Sequence, residues 1–226
     1  MQRLILVKQK ICKVHKKNFL YIGIAVAVFA IIVSISFGIS NDVTNTQELF
    51  QELDFTYTEA NSKLKESLSS HGISMSSAVK LGTTKDIEKF CSFFGDENKQ
   101  TQVEYCTSTE LRNSEGEFLG NIHMVGSQQM PKVVLALIQT TPFMKDIDDI
   151  KSVFGVVIED LICDCWEEVK PGQIETIGSW IDNQREFHTS DTKPTSKSNL
   201  SLEGYKLQME LTTNQEGYLW KLIISK

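Results

Sequence analysis

Four cysteines are the residues of this chain with the most distinctive chemistry. They are Cys91, Cys106, Cys163 and Cys165, while a fifth, Cys12, stands alone near the N-terminus. An even number of cysteines in an oxidising compartment indicates disulfide bonds. Unpaired core thiols and a four-thiolate metal site are the alternatives, although the Cys-x-Cys spacing at 163 and 165 lacks the two intervening residues usual in zinc sites.

The spacing of neighbouring apolar residues predicts where each cysteine lies. Cys91 falls on the inward face of a predicted helix over 84–94, and Cys106 falls on the first strand of a predicted hairpin. We therefore predict a Cys91–Cys106 disulfide that closes a loop of about 15 residues and contributes roughly 3 kcal/mol in the chain-entropy model. In a predicted helix over 146–166, Cys165 is expected to be buried and Cys163 to be more accessible.

The remaining residue patterns do not predict a catalytic site. His71, His123 and His188 are scattered and have no metal-binding spacing, and the sequence contains no phosphate loop, dinucleotide fingerprint or serine nucleophile elbow. We therefore predict no catalytic residue, no metal and no cofactor. The sequence favours a protein that is not an enzyme.

Residues 19–39 form an uncharged run of 21 residues, long enough to cross a bilayer as a helix. Six basic residues precede the run and the next one after it is Lys63, so the positive-inside rule places the N-terminus in the cytosol. We predict a basic cytosolic tail over 1–18, a transmembrane signal anchor over 19–39 and an extracytoplasmic domain over 40–226. The bilayer is thus one predicted partner, at the cell membrane. A cleavable signal peptide is the competing interpretation.

The predicted outer domain is strongly acidic. All 29 acidic residues and 17 of the 23 basic ones follow the apolar run, which gives this part a formal charge of −12. Such a surface repels a phosphate backbone, so we expect no nucleic-acid partner.

A long amphipathic helix is predicted next to the membrane, over 44–71. Within it Phe50, Leu53, Tyr57 and Leu64 recur at steps of three and four residues or their sums. Such a stripe packs either against the helix's own domain or against a second chain, as in a coiled coil. These four residues are therefore a possible interaction seam.

Further elements follow from the hydrophobic periodicity. Alternation and apolar runs predict five strands, whereas steps of three and four residues predict helices over 84–94, 146–166 and 173–187. Residues 189–199 contain no apolar side chain and are expected to form a mobile surface loop. The segregated helices and strands predict an α+β domain with a mainly antiparallel sheet of about five strands packed by helices.

These observations favour a membrane-anchored extracytoplasmic domain that binds a protein or small ligand and has no catalytic role. The second hypothesis is a subunit of a membrane or cell-envelope assembly that uses the 44–71 helix as an oligomer seam. The third is a hydrolase whose catalytic residues are too dispersed to recognise from one sequence.

Overall fold

The computed structural model describes residues 50–190 and 193–226, and within these ranges helices and strands are mixed. The helices are α1 (Tyr57–Ser70), α2 (Thr84–Phe90), α3 (Glu97–Gln100), α4 (Ile147–Leu161), α5 (Trp166–Val169) and α6 (Ile177–Ser190), with a 3-10 turn at Pro171–Gln173. The strands are β1 (Ser74–Met75), β2 (Val79–Leu81), β3 (Tyr105–Arg112), β4 (Phe118–Gly126), β5 (Pro131–Thr140), β6 (Thr195–Leu202), β7 (Tyr205–Asn214) and β8 (Gly217–Ser225).

All eight strands belong to one antiparallel sheet. Its order is β1-β3-β4-β5-β8-β7-β6, and β2 also pairs with β3. Two three-stranded meanders, β3–β4–β5 and β6–β7–β8, are joined where β5 pairs with β8. The mixture of helices with an antiparallel sheet is the α+β class that the segregated sequence pattern predicts.

The larger core lies between one sheet face and the helices α1, α4 and α6. Helix α4 contacts α1, α6 and β5, and its stripe of Ile150, Phe154 and Val157 is fully buried. From the sheet, alternate residues such as Ala136 and Trp220 complete this core. The three-and-four-residue spacing of α4 thus produces the packing that it predicts.

A smaller core occupies the opposite sheet face. Here the segment around α2 and α3 contributes Ile87, Phe93 and Phe94, which pack with Val133 and Leu135 of β5. Alternate residues of β5 enter the two different cores, so the strand is buried on both faces. Its continuous apolar run in the sequence predicts this burial on both faces correctly.

Helix α1 begins later than predicted, because residues 50–56 are not helical. The Thr56 hydroxyl accepts a hydrogen bond from the Glu59 backbone N–H at 3.2 Å, and the Glu59 carboxylate accepts one from the Thr56 N–H at 2.9 Å. This reciprocal capping box fixes the start of the helix at Tyr57. The predicted start at Thr44 lies outside the described residues. The predicted end is found, with Gly72 at a φ of +74°.

Two other helices are shorter than predicted. Helix α2 ends at Phe90, and beyond it the Gln100 side chain bonds the Cys91 carbonyl and the Phe94 N–H, so these groups need no further helical turn. Helix α4 ends at Leu161, before Cys163 and Cys165 join each other. Side chains two residues apart do not face each other on a helix, so this link is incompatible with the helix predicted through 166.

The sheet has more strands than the five predicted, because β1, β2 and β6 were not expected. Residues 195–199, predicted to be part of a mobile loop, belong to β6 and pair with β7. Their hydroxyls replace apolar packing: Ser196 and Ser198 accept hydrogen bonds from Gln184 and Trp180 of α6 at 2.7 and 2.6 Å. A polar strand of this kind is typical of a sheet edge.

Among residues 50–190 and 193–226, none of the helices has the length and apolar character needed to cross a membrane. The predicted tail over 1–18 and the predicted anchor over 19–39 lie outside these residues.

Candidate functional site

Charged and amide side chains gather on the sheet face opposite α1, α4 and α6. Along β7, Met209 enters the main core, so its neighbours Gln208 and Glu210 point to the other face. The strand register places Lys221 of β8 beside Glu210 on one side and Lys197 of β6 on the other. We call Lys197, Gln208, Glu210 and Lys221 the polar cluster.

Glu210 forms ion pairs with both lysines of the polar cluster. The Lys221 Nζ donates to Oε1 of Glu210 at 2.5 Å, and the Lys197 Nζ lies 2.9 Å from Oε2. Glu210 and Lys221 are each 4% exposed. Burial alone would raise the pKa of Glu210. The contacts from Lys221 and Lys197 lower it by more, so the pKa of this carboxyl lies below its ordinary value. One ionised carboxylate therefore contacts two lysine ammonium groups.

Gln208 adds a hydrogen-bond donor to this cluster. The side chain is buried, and its Nε2 has no hydrogen-bond partner among the described residues. An amide N–H without a partner is costly in a protein interior, so an acceptor on a ligand would stabilise it. The polar cluster thus combines cationic and N–H groups, the chemistry that binds an anion.

His123 lies in the same cross-strand row as Gln208 but three strands away. At about 4.8 Å per strand the two side chains stand roughly 14 Å apart, too far to hold one small group. The Nδ1 atom of His123 is buried without a partner in the described part of the chain, although the residue as a whole is half-buried. This burial lowers the pKa of His123 to about 4, so the ring is neutral at neutral pH.

The four cysteines of the described residues form two disulfides. Cys91 is joined to Cys106, the pairing that the sequence predicts, and both are fully buried. Cys163 is joined to Cys165, and both are half-buried. The expectation that Cys165 is buried and Cys163 more accessible was wrong, because both lie in the connection between α4 and α5 and not on α4.

The predicted interaction seam is divided between the two cores. Leu53, Tyr57 and Leu64 are buried in the main core, with 1%, 7% and 0% exposure. Phe50 is half-buried and packs against Phe94 on the other sheet face, with ring centroids 5.1 Å apart. These contacts within the domain account for the apolar stripe.

A second histidine forms a hydrogen-bond network under α6. His188 contacts the Ser196 hydroxyl through Nδ1 at 2.9 Å and the Thr213 hydroxyl through Nε2 at 2.8 Å. Burial lowers the pKa of His188. Both ring nitrogens contact hydroxyls, and the residue is only 3% exposed, so this network helps to pack α6 on the sheet.

A shallow cavity of about 180 Å³ lies near the β3–β4 turn and the start of α4, and Gln139, Thr140 and the carboxylates of Glu117, Asp146 and Glu216 are among its lining residues. Across residues 50–190 and 193–226, His, Cys, Asp and Glu side chains form no group of three or more that could hold a metal ion.

Sequence reasoning did not identify the polar cluster. The alternation of Gln208 and Glu210 with apolar residues along β7 is visible in the sequence, but its partners are not adjacent in the chain. Lys221 and Lys197 become neighbours of Glu210 only through strand register, and Lys197 falls in the segment predicted to be a loop.

The fold and the site together define an α+β domain with a polar cluster on one sheet face, in which Gln208, Glu210 and Lys221 are buried and Lys197 is partly exposed. The chain matches no family model, and comparison with curated proteins and with solved structures finds no match either.

Proposed function

We propose that the chain is a single-pass membrane protein whose extracytoplasmic α+β domain binds an anionic ligand at the polar cluster without catalysing a reaction. The anchor rests on the uncharged run over 19–39 and on the six basic residues before it. The two disulfides support the outer location of the domain, because such bonds persist mainly in oxidising compartments.

The observation that carries the binding proposal is the contrast between the polar cluster and the rest of the domain. Residues 40–226 carry a formal charge of −12, whereas in the described part of the chain Lys197 and Lys221 both contact the carboxylate of Glu210. The Nε2 of Gln208, which has no hydrogen-bond partner within 50–190 and 193–226, adds a donor on the same strand face. Two cations and one N–H suit a small carboxylate-bearing ligand or an acidic side chain of a protein.

A thermal-unfolding experiment with citrate, a small polycarboxylate, tests this proposal. The full chain in a neutral detergent is heated with increasing citrate, and each sample is compared with sodium chloride at equal ionic strength. A ligand that binds only the folded state raises the unfolding temperature with concentration. We expect Lys197→Gln to reduce this rise, because it removes the partly exposed cation of the cluster.

Lys80→Gln is the matched control, because it also removes one positive charge. Lys80 is exposed on β2, which pairs with β3 near the sheet edge opposite β6. Citrate also stabilises proteins by exclusion from their surface, an effect that both variants retain. Equal citrate responses of the unsubstituted chain, Lys197→Gln and Lys80→Gln would contradict binding of citrate at the polar cluster.

A further inference from the structure

The Cys163–Cys165 disulfide differs from Cys91–Cys106 in ring size and in exposure. It spans a single residue, Asp164, whereas the other bond closes a separation of 15 residues. Closing a short loop removes less entropy from the unfolded chain, so the small ring gains less stabilisation. Its two cysteines are half-buried, whereas both cysteines of the other bond are 0% exposed. Exposed disulfides are the ones that external thiolates attack.

Acidic residues precede, follow and lie within this small ring along the chain. Glu159 and Asp160 lie in the last turn of α4, Asp164 is exposed between the two cysteines, and Glu167 follows in α5. Burial raises the pKa of Glu159, and the nearby carboxylates of Asp164 and Asp160 raise it as well. Lys63 of α1 offsets part of the charge, with its Nζ 3.6 Å from the Asp160 carboxylate.

We propose that the Cys163–Cys165 disulfide is a thiol–disulfide exchange site that oxidises a dithiol on a partner whose thiols are flanked by basic residues. This function goes beyond the proposed anion binding and does not depend on it. The attacking group is a thiolate, and the acidic surroundings repel an anion unless the partner brings positive charge of its own.

The reaction moves two electrons from the partner to the cysteine pair. One partner thiolate attacks either sulfur, the Cys163–Cys165 bond breaks, and the released cysteine sulfur takes a proton from water. The second partner thiolate then attacks the partner sulfur of this mixed disulfide. The second cysteine of the pair leaves and is protonated in turn. The products are a disulfide on the partner and two thiols at Cys163 and Cys165.

Selective reduction of the full chain provides the first test. The chain in detergent is treated with limiting dithiothreitol, quenched with N-ethylmaleimide and mapped by mass spectrometry. We expect Cys163 and Cys165 to be alkylated while Cys91 and Cys106 remain joined, because only the first pair is accessible. Equal reduction of both bonds, or free thiols at Cys163 and Cys165 in the untreated chain, would overturn the proposal.

Oxidation of a reduced Cys-x-x-Cys peptide provides the second test, with lysine-flanked and glutamate-flanked versions compared. We expect about one peptide disulfide to form per chain. At low salt the lysine-flanked peptide should be oxidised roughly 5- to 20-fold faster than the glutamate-flanked peptide, and this ratio of rates should fall at 1 M salt. Rates with hydroxyethyl disulfide, which is uncharged, correct for the intrinsic reactivity of each peptide. Failure of the oxidised chain to oxidise either peptide contradicts the exchange site, and equal corrected rates contradict the basic partner.

Two variants complete the design. Cys163→Ser with Cys165→Ser, checked for an intact fold by circular dichroism, is expected to oxidise no peptide. Asp164→Lys keeps both cysteines and reverses the central charge, so it is expected to narrow the difference between the two peptides. An unchanged difference in Asp164→Lys would show that the local charge does not select the partner.

Discussion

Glu210 is the residue on which the charge balance of the sheet face depends. Its carboxylate accepts a hydrogen bond from Lys221 and forms an ion pair with Lys197, and Lys221 is 4% exposed. Breaking a buried pair is strongly destabilising because it leaves an uncompensated charge in a poorly solvated place. The two members of the pair are therefore not equivalent. If Lys221 is replaced, Glu210 still has Lys197 as an ion-pair partner. If Glu210 is replaced, Lys221 loses the carboxylate that accepts its hydrogen bond.

We expect Glu210→Gln to lower the free energy of unfolding by about 3–5 kcal/mol, because Lys221 is left buried without its carboxylate. Lys221→Met is expected to lower it by less. Urea unfolding of the full chain in detergent, followed by tryptophan fluorescence, measures both values.

Glu110→Gln is the control for this comparison. Its carboxylate lies 2.5 Å from Arg112 Nε, but the two side chains are 26% and 48% exposed, and such pairs contribute about 0–1 kcal/mol. A loss in Lys221→Met equal to or larger than that in Glu210→Gln would contradict the asymmetry.

At the scale of elements, α1 is an internal part of the domain. Leu64 and Leu68 are fully buried, and the helix packs on α4. The apolar stripe that indicated a possible oligomer seam thus covers the domain's own core. The start of α1 follows from the capping box at Thr56 and Glu59, a signal separate from the hydrophobic periodicity.

We expect Leu64→Ala to lower the free energy of unfolding by about 2–5 kcal/mol, because it opens a cavity in the main core. The oligomeric state of the folded chain should stay the same. Urea unfolding and light scattering measure the two quantities.

Lys65→Ala changes an exposed neighbour on the same helix and should leave both measurements nearly unaltered. Dissociation of an oligomer in Leu64→Ala, with unchanged resistance to urea, would instead favour the assembly hypothesis.

The sequence predicts those elements well whose pattern repeats several times. The β3–β4 and β7–β8 hairpins and β5 lie where alternation and apolar runs place them. Strand β6 was missed because its first two inward residues, Ser196 and Ser198, hydrogen-bond to α6, so only Leu200 and Leu202 at its end give a hydrophobic signal. The polar cluster could not be predicted for a related reason, since it depends on the pairing of that strand.

At the scale of the whole molecule, the charge distribution leads to a prediction about topology. Six basic residues precede the uncharged run, so we expect the N-terminus to stay in the cytosol and the anchor to remain attached. Intact mass measurement should find a mature chain that begins at or near Met1. A reporter joined after Lys226 should be reached by reagents only from outside the cell.

A cleavable signal peptide gives a different result. Ser36 and Gly38 offer small residues on either side of Phe37, the spacing that signal peptidase favours, and processing there would leave a chain that starts close to residue 39. A mass that matches this product would contradict the anchor.

The position of β8 constrains the order in which the domain can fold. This strand follows all the other strands in the chain, yet it lies between β5 and β7 near the middle of the sheet. Its partners on β5 are roughly 80 to 90 residues earlier, and contacts of such separation form slowly. While the chain is being synthesised or translocated, one edge of β5 therefore stays unpaired until β8 has been made and can pair with it. That interval is when this domain is most exposed to aggregation and most dependent on chaperones.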